Sequence, residues 1–274
     1  MPEITPQYCC GLVGDVPFAR SRRRCRQTPD APVSKPLSEF HVSIINFSHN
    51  FLFVHVPKSA GTSVTRVLST LTSLGDIEIG GTEFGETLAR AYGPRFGVEK
   101  HSTAAELRRV TGDELWVRLY KFAFVRNPYA RAFSVYTFLK TKFRQWRGSE
   151  VMDGFEDFDA FIASDFFLTD GPDRLLRPQL FWLRTSPDDE TLLVDFVGHV
   201  ESIGPDLALI MTKVSPGAVG PVGKAVPRVN ASAQPEAWRT AYVSEATRAR
   251  VAQRYARDFA KFGYSTDFAQ SGSS

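Results

Sequence analysis

Cysteine is scarce and confined: Cys9, Cys10 and Cys25 are the only three in 274 residues. An odd number crowded into one stretch makes no disulfide framework, and no histidine is spaced to complete a zinc site with them. The rest of the chain, free of cysteine, suits a reducing compartment. Long hydrophobic runs are missing too, and none approaches the roughly 18 apolar residues that a membrane-spanning helix needs. The first residues lack the ordered basic, apolar and small-residue regions of a secretory signal. These absences lead to the expectation of a soluble, cytoplasmic protein. Nor does one charge dominate. A formal net charge of +3 is too small to argue for nucleic-acid binding, yet it is compatible with a local basic pocket around an anionic ligand.

Forty-three per cent of the residues are hydrophobic, enough to build an ordinary core. Residues 1–38 hold six prolines, little apolar periodicity and the basic run from Arg20 to Arg26. They read as a flexible basic and proline-rich tail, its charges solvated rather than forming a nucleic-acid or membrane patch. Residues 39–274 read as one folded domain.

Residues 42–47 and 51–56 have the composition of strands, the second nearly all apolar, as a strand covered on both faces requires. Val64, Val67, Leu68 and Leu71 recur at helical spacing, which predicts a helix over residues 62–73 with a stop at Gly75. Residues 75–100 read as an irregular connection. A short helix is expected over 103–110, capped by Ser102 or Thr103. A second buried strand covers 121–125; Asn127 and Pro128 end it and begin a helix. Further expectations are a helix over 155–163, a third buried strand over 192–197, a mobile glycine- and proline-rich loop over 214–227, and a last helix over 244–262. Strands alternating with helices predict an α/β domain with a mainly parallel sheet flanked by helices.

Two stretches carry chemistry. The first, Val-Pro-Lys-Ser-Ala-Gly-Thr-Ser at 56–63, follows a buried strand and opens a helix. Free backbone N–H groups and the positive end of a helix dipole make that a phosphate cradle, with hydroxyls from Ser59, Thr62 and Ser63 and a mobile charge from Lys58. A nucleoside-triphosphate P-loop fits badly, since that motif sets lysine directly before the hydroxyl residue. Here Gly61 precedes Thr62. The run Leu192-Leu-Val-Asp195 does imitate the acid-ended strand that accompanies a P-loop, so a metal-dependent small-molecule kinase stays open as an alternative. The second stretch, Val-Arg-Asn-Pro-Tyr-Ala-Arg-Ala-Phe-Ser at 125–134, sets Arg126 at the C-terminal end of a strand, where open α/β sheets bind ligands. Arg126 offers a planar fork for a phosphate and Ser134 a hydroxyl. Two cradles imply a ligand with two separate anionic groups.

Both stretches resemble motifs of sulfotransferases, in particular the carbohydrate-type family that includes heparan sulfate 2-O-sulfotransferases. Residues 56–63 are similar to its 5′-phosphosulfate loop and 125–134 to its 3′-phosphate motif. Further similar segments are 100–104, 195–201 and 258–264, in consistent order over residues 42–265. The resemblance implies a P-loop-like sulfotransferase fold and the donor 3′-phosphoadenosine 5′-phosphosulfate. It also implies transfer of a sulfuryl group to an acceptor hydroxyl, on a carbohydrate, without a metal. By the same resemblance, Lys58, Ser59, Ala60, Gly61, Thr62 and Ser63 hold the 5′ end of the donor. Arg126 and Ser134 hold its 3′-phosphate, and Arg228 lies in a late segment that closes over it. The general base is expected at His101, an imidazole that titrates near neutral pH. His55 is its chief rival, with His199, His41 and His49 behind it. For the acceptor, Arg131, Lys140, Lys142, Arg144 and Arg147 could meet an acidic glycan, and Trp146 or Trp182 could stack on a sugar; the alternative is a solvated helix face and core aromatics. A relative that binds the nucleotide without turnover is a third reading.

Overall fold

The computed structural model of the chain describes residues 43–80, 83–97, 101–216 and 236–271. The tail over 1–38, Lys100, His41, Arg228 and nearly all of the expected loop over 214–227 lie outside the described residues.

Five strands form one sheet: β1 (Ser43–Asn46), β2 (Phe51–Val54), β3 (Ile77–Ile79), β4 (Tyr120–Val125) and β5 (Phe196–His199), in the order β3-β1-β2-β4-β5. β1 runs antiparallel to both β2 and β3, whereas β2, β4 and β5 pair in parallel. Four of the five strands therefore point the same way, and the α/β expectation of a mainly parallel sheet holds.

Alternation along the strands separates two cores. Phe51, Phe53, Phe122 and Phe124 face α1 (Gly61–Leu68) and α7 (Ile203–Val214), packing with Val64, Leu68, Leu207 and Ile210. Leu52, Val54, Ala123 and Val125 face the other way. They pack with Leu107 and Trp116 of α3 (Ala104–Arg118) and with Leu180, Trp182 and Leu183 of α6 (Leu180–Leu183). Burying side chains of this size contributes about 1.5–3 kcal/mol each. A third cluster unites α4 (Pro128–Thr141), α5 (Phe158–Ala163), α8 (Ala237–Thr240) and α9 (Glu245–Arg254) around Tyr129, Phe161, Trp238 and Tyr242. Among the described residues, the two remaining α-helices are α2 (Glu83–Phe96) and α10 (Ala256–Lys261).

Several expectations need correction. Residues 75–100 are not irregular, because they contain β3 and α2. The strand escapes detection since it is only three residues long. Its middle residue is Glu78, whose buried carboxylate accepts a hydrogen bond from Ser69 Oγ at 2.9 Å. The third parallel strand begins at Phe196 rather than at 192: Leu192 bridges Arg184, and Leu193 N donates to Leu183 O, so these leucines pair with the α6 segment. α3 runs well past 110, bending at Gly112 (φ 74). α1 ends at Leu68 and passes into a 3-10 turn over Ser69–Leu71. The last helix is two, α9 and α10, broken at Tyr255. Its expected inner face of Val251, Tyr255, Phe259 and Phe262 is buried all the same.

Candidate active site

β2, β4 and β5 run in parallel, so the segments that follow them emerge at one edge of the sheet. The first segment turns sharply. Lys58 (φ 65) and Ala60 (φ 58) adopt the left-handed region and Ser59 between them does not, an alternation that forms an anion-binding concavity. Ser63 N and Val64 N share the carbonyl of Ala60 at 2.9 and 3.2 Å. The N–H groups of Ala60 and Gly61 donate to nothing among the described residues, and they stand where the positive end of the α1 dipole lies. Thr62 is half-buried and Ser63 buried. The Lys58 ammonium lies 4.1 Å from the ring centre of Phe138, on α4.

The second segment begins with Arg126. Asn127 caps α4 by accepting from Tyr129 N at 2.9 Å and Ala130 N at 3.4 Å, and Pro128 occupies the first turn. The Arg126 guanidinium is half-buried and makes no hydrogen bond or ion pair among the described residues. Burial pushes its pKa below the ordinary arginine value, against the opposing pull of Glu201 and Tyr264. Glu201 accepts from Asn127 N at 2.8 Å and from the Tyr264 hydroxyl at 2.9 Å. The Tyr264 phenol is pushed well above its usual range by burial, and Glu201 adds to the shift. Ser134 is half-buried on α4, two turns from its start.

Gln179, wholly buried, ties the two segments together. Its Oε1 accepts from Ser59 Oγ at 3.0 Å and from Arg126 N at 2.8 Å, and its Nε2 donates to Arg126 O at 2.8 Å. Asp258, also wholly buried, accepts from Gln179 N at 2.6 Å and Leu180 N at 2.9 Å. Burial raises the Asp258 carboxyl to about 6, opposed by those two N–H groups and by Arg131. Arg131 is buried as well, donating from Nε to Pro57 O and from its two terminal nitrogens to the carbonyls of Arg177 and Leu175, each at 3.0 Å.

His101 lies directly before the start of α3, which Thr103 and Glu106 secure as a reciprocal capping box. It is only 7% exposed, so it is not a surface histidine. Its ring centre lies 5.0 Å from that of His55 and 5.9 Å from that of Trp182. His55 in turn packs against Gly61, which brings the 101 segment to the underside of the first loop. Arg174 donates to His101 O at 3.2 Å and pairs with Glu106 at 3.2 Å. The rival His199, which pairs with Val125 at the end of β5, engages Phe262 O at 3.1 Å, and His49, in the turn between β1 and β2, engages Val214 O at 2.9 Å.

The structure settles three readings that the sequence left open. Arg131 is not a surface cation for a glycan, because it is 1% exposed and its guanidinium is consumed by three backbone carbonyls. Trp182 is not a sugar platform, since it is 0% exposed. Asp195 does not meet the phosphate loop: it accepts from Lys121 N at 2.8 Å and pairs with Lys121 Nζ at 2.9 Å, at the opposite end of β4 from Arg126. Of the other acceptor candidates, Trp146 stacks on Phe166, Arg144 pairs with Asp153, Lys140 donates to Phe155 O, and Lys142 and Arg147 are exposed. Gln179 was missed altogether, as nothing in a lone glutamine after Pro178 signals burial. Asp258 carried two signals, its place at the head of the family-like segment 258–264 and a carboxylate beside the apolar stripe of the last helical segment.

Among the described residues, no helix is long and apolar enough to cross a membrane. The family model described as the sulfotransferase family matches residues 42–265. No curated protein and no solved structure gives a significant match to the chain.

Proposed function

This chain belongs to the sulfotransferase family, and from that footing we propose that it moves a sulfuryl group from 3′-phosphoadenosine 5′-phosphosulfate to a hydroxyl of a carbohydrate acceptor. One observation carries the choice of donor: among the described residues, N–H groups at the start of α1 with no acceptor and an Arg126 guanidinium with no hydrogen bond sit at one sheet edge, behind adjacent parallel strands. Such an arrangement suits a ligand anionic at two ends. When bound, that donor supplies a sulfuryl group attached to a stable leaving anion.

Ala60 and Gly61 offer backbone N–H groups to the 5′ end, with the hydroxyls of Thr62 and Ser63 beside them. Lys58, on a flexible stem, leaves its contact with Phe138 to neutralise the negative charge that builds up on the leaving oxygen. Arg126 grips the 3′-phosphate with a planar fork and Ser134 adds a hydroxyl; Arg228 is assigned to the same end from the resemblance alone. His101 takes the proton of the acceptor hydroxyl on its imidazole. Arg174 and the α3 cap hold the backbone of that histidine in place. Because positioning and charge stabilisation supply most of the rate, no metal is required of these residues.

The kinase alternative loses its acid, since Asp195 is committed to Lys121 away from the loops. The test is incubation of the full chain with the ³⁵S-labelled donor and a panel of glycans and phenols, with and without a chelator. Label transferred to a glycan hydroxyl, unaffected by the chelator, is the expected result. Failure to label any hydroxyl, with magnesium-dependent phosphate transfer from ATP instead, would overturn the reading.

A further inference from the structure

We propose that Gln179 is a positioning residue that sets the separation between the two anion-binding loops, and thereby decides whether one ligand can occupy both at once. The inference rests on the donor reading above.

The pairing between β2 and β4 ends at Val54 and Ala123, so past that point the ladder no longer fixes one loop relative to the other. Gln179 takes over where it stops. Its amide oxygen accepts from the side chain of Ser59 in one loop and from the backbone of Arg126 in the other, while its amide nitrogen returns a bond to Arg126 O. A buried amide is costly unless its groups are bonded, and here oxygen and nitrogen are both spent on the loops. The glutamine itself is anchored from behind, where Asp258 on α10 accepts from Gln179 N and Leu180 N. Arg131 holds Pro57 O separately, so the first loop keeps its own support when Gln179 is altered.

A ligand bound at two points gains affinity because the second contact is made at high effective concentration, and that gain vanishes when the spacing is wrong. Loss of the bridge should therefore leave each half-site competent and remove only the benefit of joining them. A merely structural role would weaken everything alike.

The experiment is calorimetric titration of the full chain and of Gln179→Met with adenosine 3′,5′-bisphosphate, adenosine 5′-monophosphate and adenosine 3′-monophosphate. The wild type is expected to bind the bisphosphate at least about tenfold more tightly than either monophosphate. Gln179→Met should keep each monophosphate within about twofold and lose about tenfold on the bisphosphate. Retention of the full bisphosphate advantage, or equal weakening of all three ligands, would overturn the role of Gln179 while leaving the donor reading intact. Absence of any bisphosphate advantage in the wild type would overturn both. Should Gln179→Met not fold, Gln179→Asn keeps a buried amide that is one methylene too short to reach both loops. It should cost about threefold on the bisphosphate with little change for either monophosphate, and an unchanged bisphosphate advantage would count against the proposal.

Discussion

Gly61 and His55 compete for one space: a methyl group built on Gly61 would lie 1.8 Å from His55 Nε2. The glycine is there for close approach, since the His55 ring lies under the first turn of α1 and against His101. Gly61→Ala should destabilise the fold by about 1–3 kcal/mol, the usual range for overpacking, and should weaken nucleotide binding by displacing the loop. His55→Ala in the same chain makes room, so the double variant should be more stable than the sum of the two single changes implies. Chemical denaturation of the four chains measures the coupling; strict additivity would mean that the two residues do not meet.

Lys58→Ala should lower kcat about 10²- to 10³-fold, as removal of a preorganised charge partner does, with a much smaller effect on binding of the bisphosphate product. Lys58→Arg should not restore the rate, because the planar guanidinium cannot reproduce a compact ammonium on this short loop. Steady-state kinetics beside product-binding titrations separates the two effects. A defect in binding alone would remove Lys58 from the chemistry.

His101→Ala should reduce kcat by about 10²–10⁴-fold, the range of a lost general base, while bisphosphate affinity stays within about twofold. The residue touches His55 and Trp182 rather than the loop N–H groups, so it has no part in holding the nucleotide. Wild-type turnover in this variant would transfer the role elsewhere, with His55 first in line.

Much of this arrangement could be read in the residues, and the failures share a physical cause. Fully covered strands announce themselves as apolar runs, so β2 and β4 were visible, and with them the loops that follow. Pro128, Asn127, Thr103 and Ser244 mark helix starts because their own chemistry satisfies the first turn. β3 was hidden because it is only three residues long, too short for the alternation of Ile77, Glu78 and Ile79 to register as a strand. Leu192 and Leu193 looked like a strand because burial, not pairing, is what a leucine run reports. Gln179 and Arg131 were opaque for a related reason: a polar side chain committed to distant backbone groups is indistinguishable in sequence from a solvated one.

Asp258 makes the stability of the fold depend on pH. Its carboxyl titrates at about 6 in the folded protein against an ordinary 3.8. Between those values the folded protein keeps a proton that the unfolded chain has released. Stability from this group is therefore full below about pH 4 and is lost as pH rises through 6, by on the order of 2–3 kcal/mol. Asp258→Asn should lack that decline. Thermal or denaturant unfolding of both chains from pH 4 to 7 checks the sign, and parallel profiles would show that Asp258 does not titrate in this window.

The central claim is that Arg126 and the Lys58–Ser63 loop grip opposite ends of one nucleotide, and titration of Arg126→Ala tests it most directly. With adenosine 3′,5′-bisphosphate the variant should lose affinity by about 10- to 100-fold, the worth of a charge-assisted bidentate contact, while adenosine 5′-monophosphate binds as it does to the wild type. Equal losses for both ligands, or no loss for either, would contradict the account.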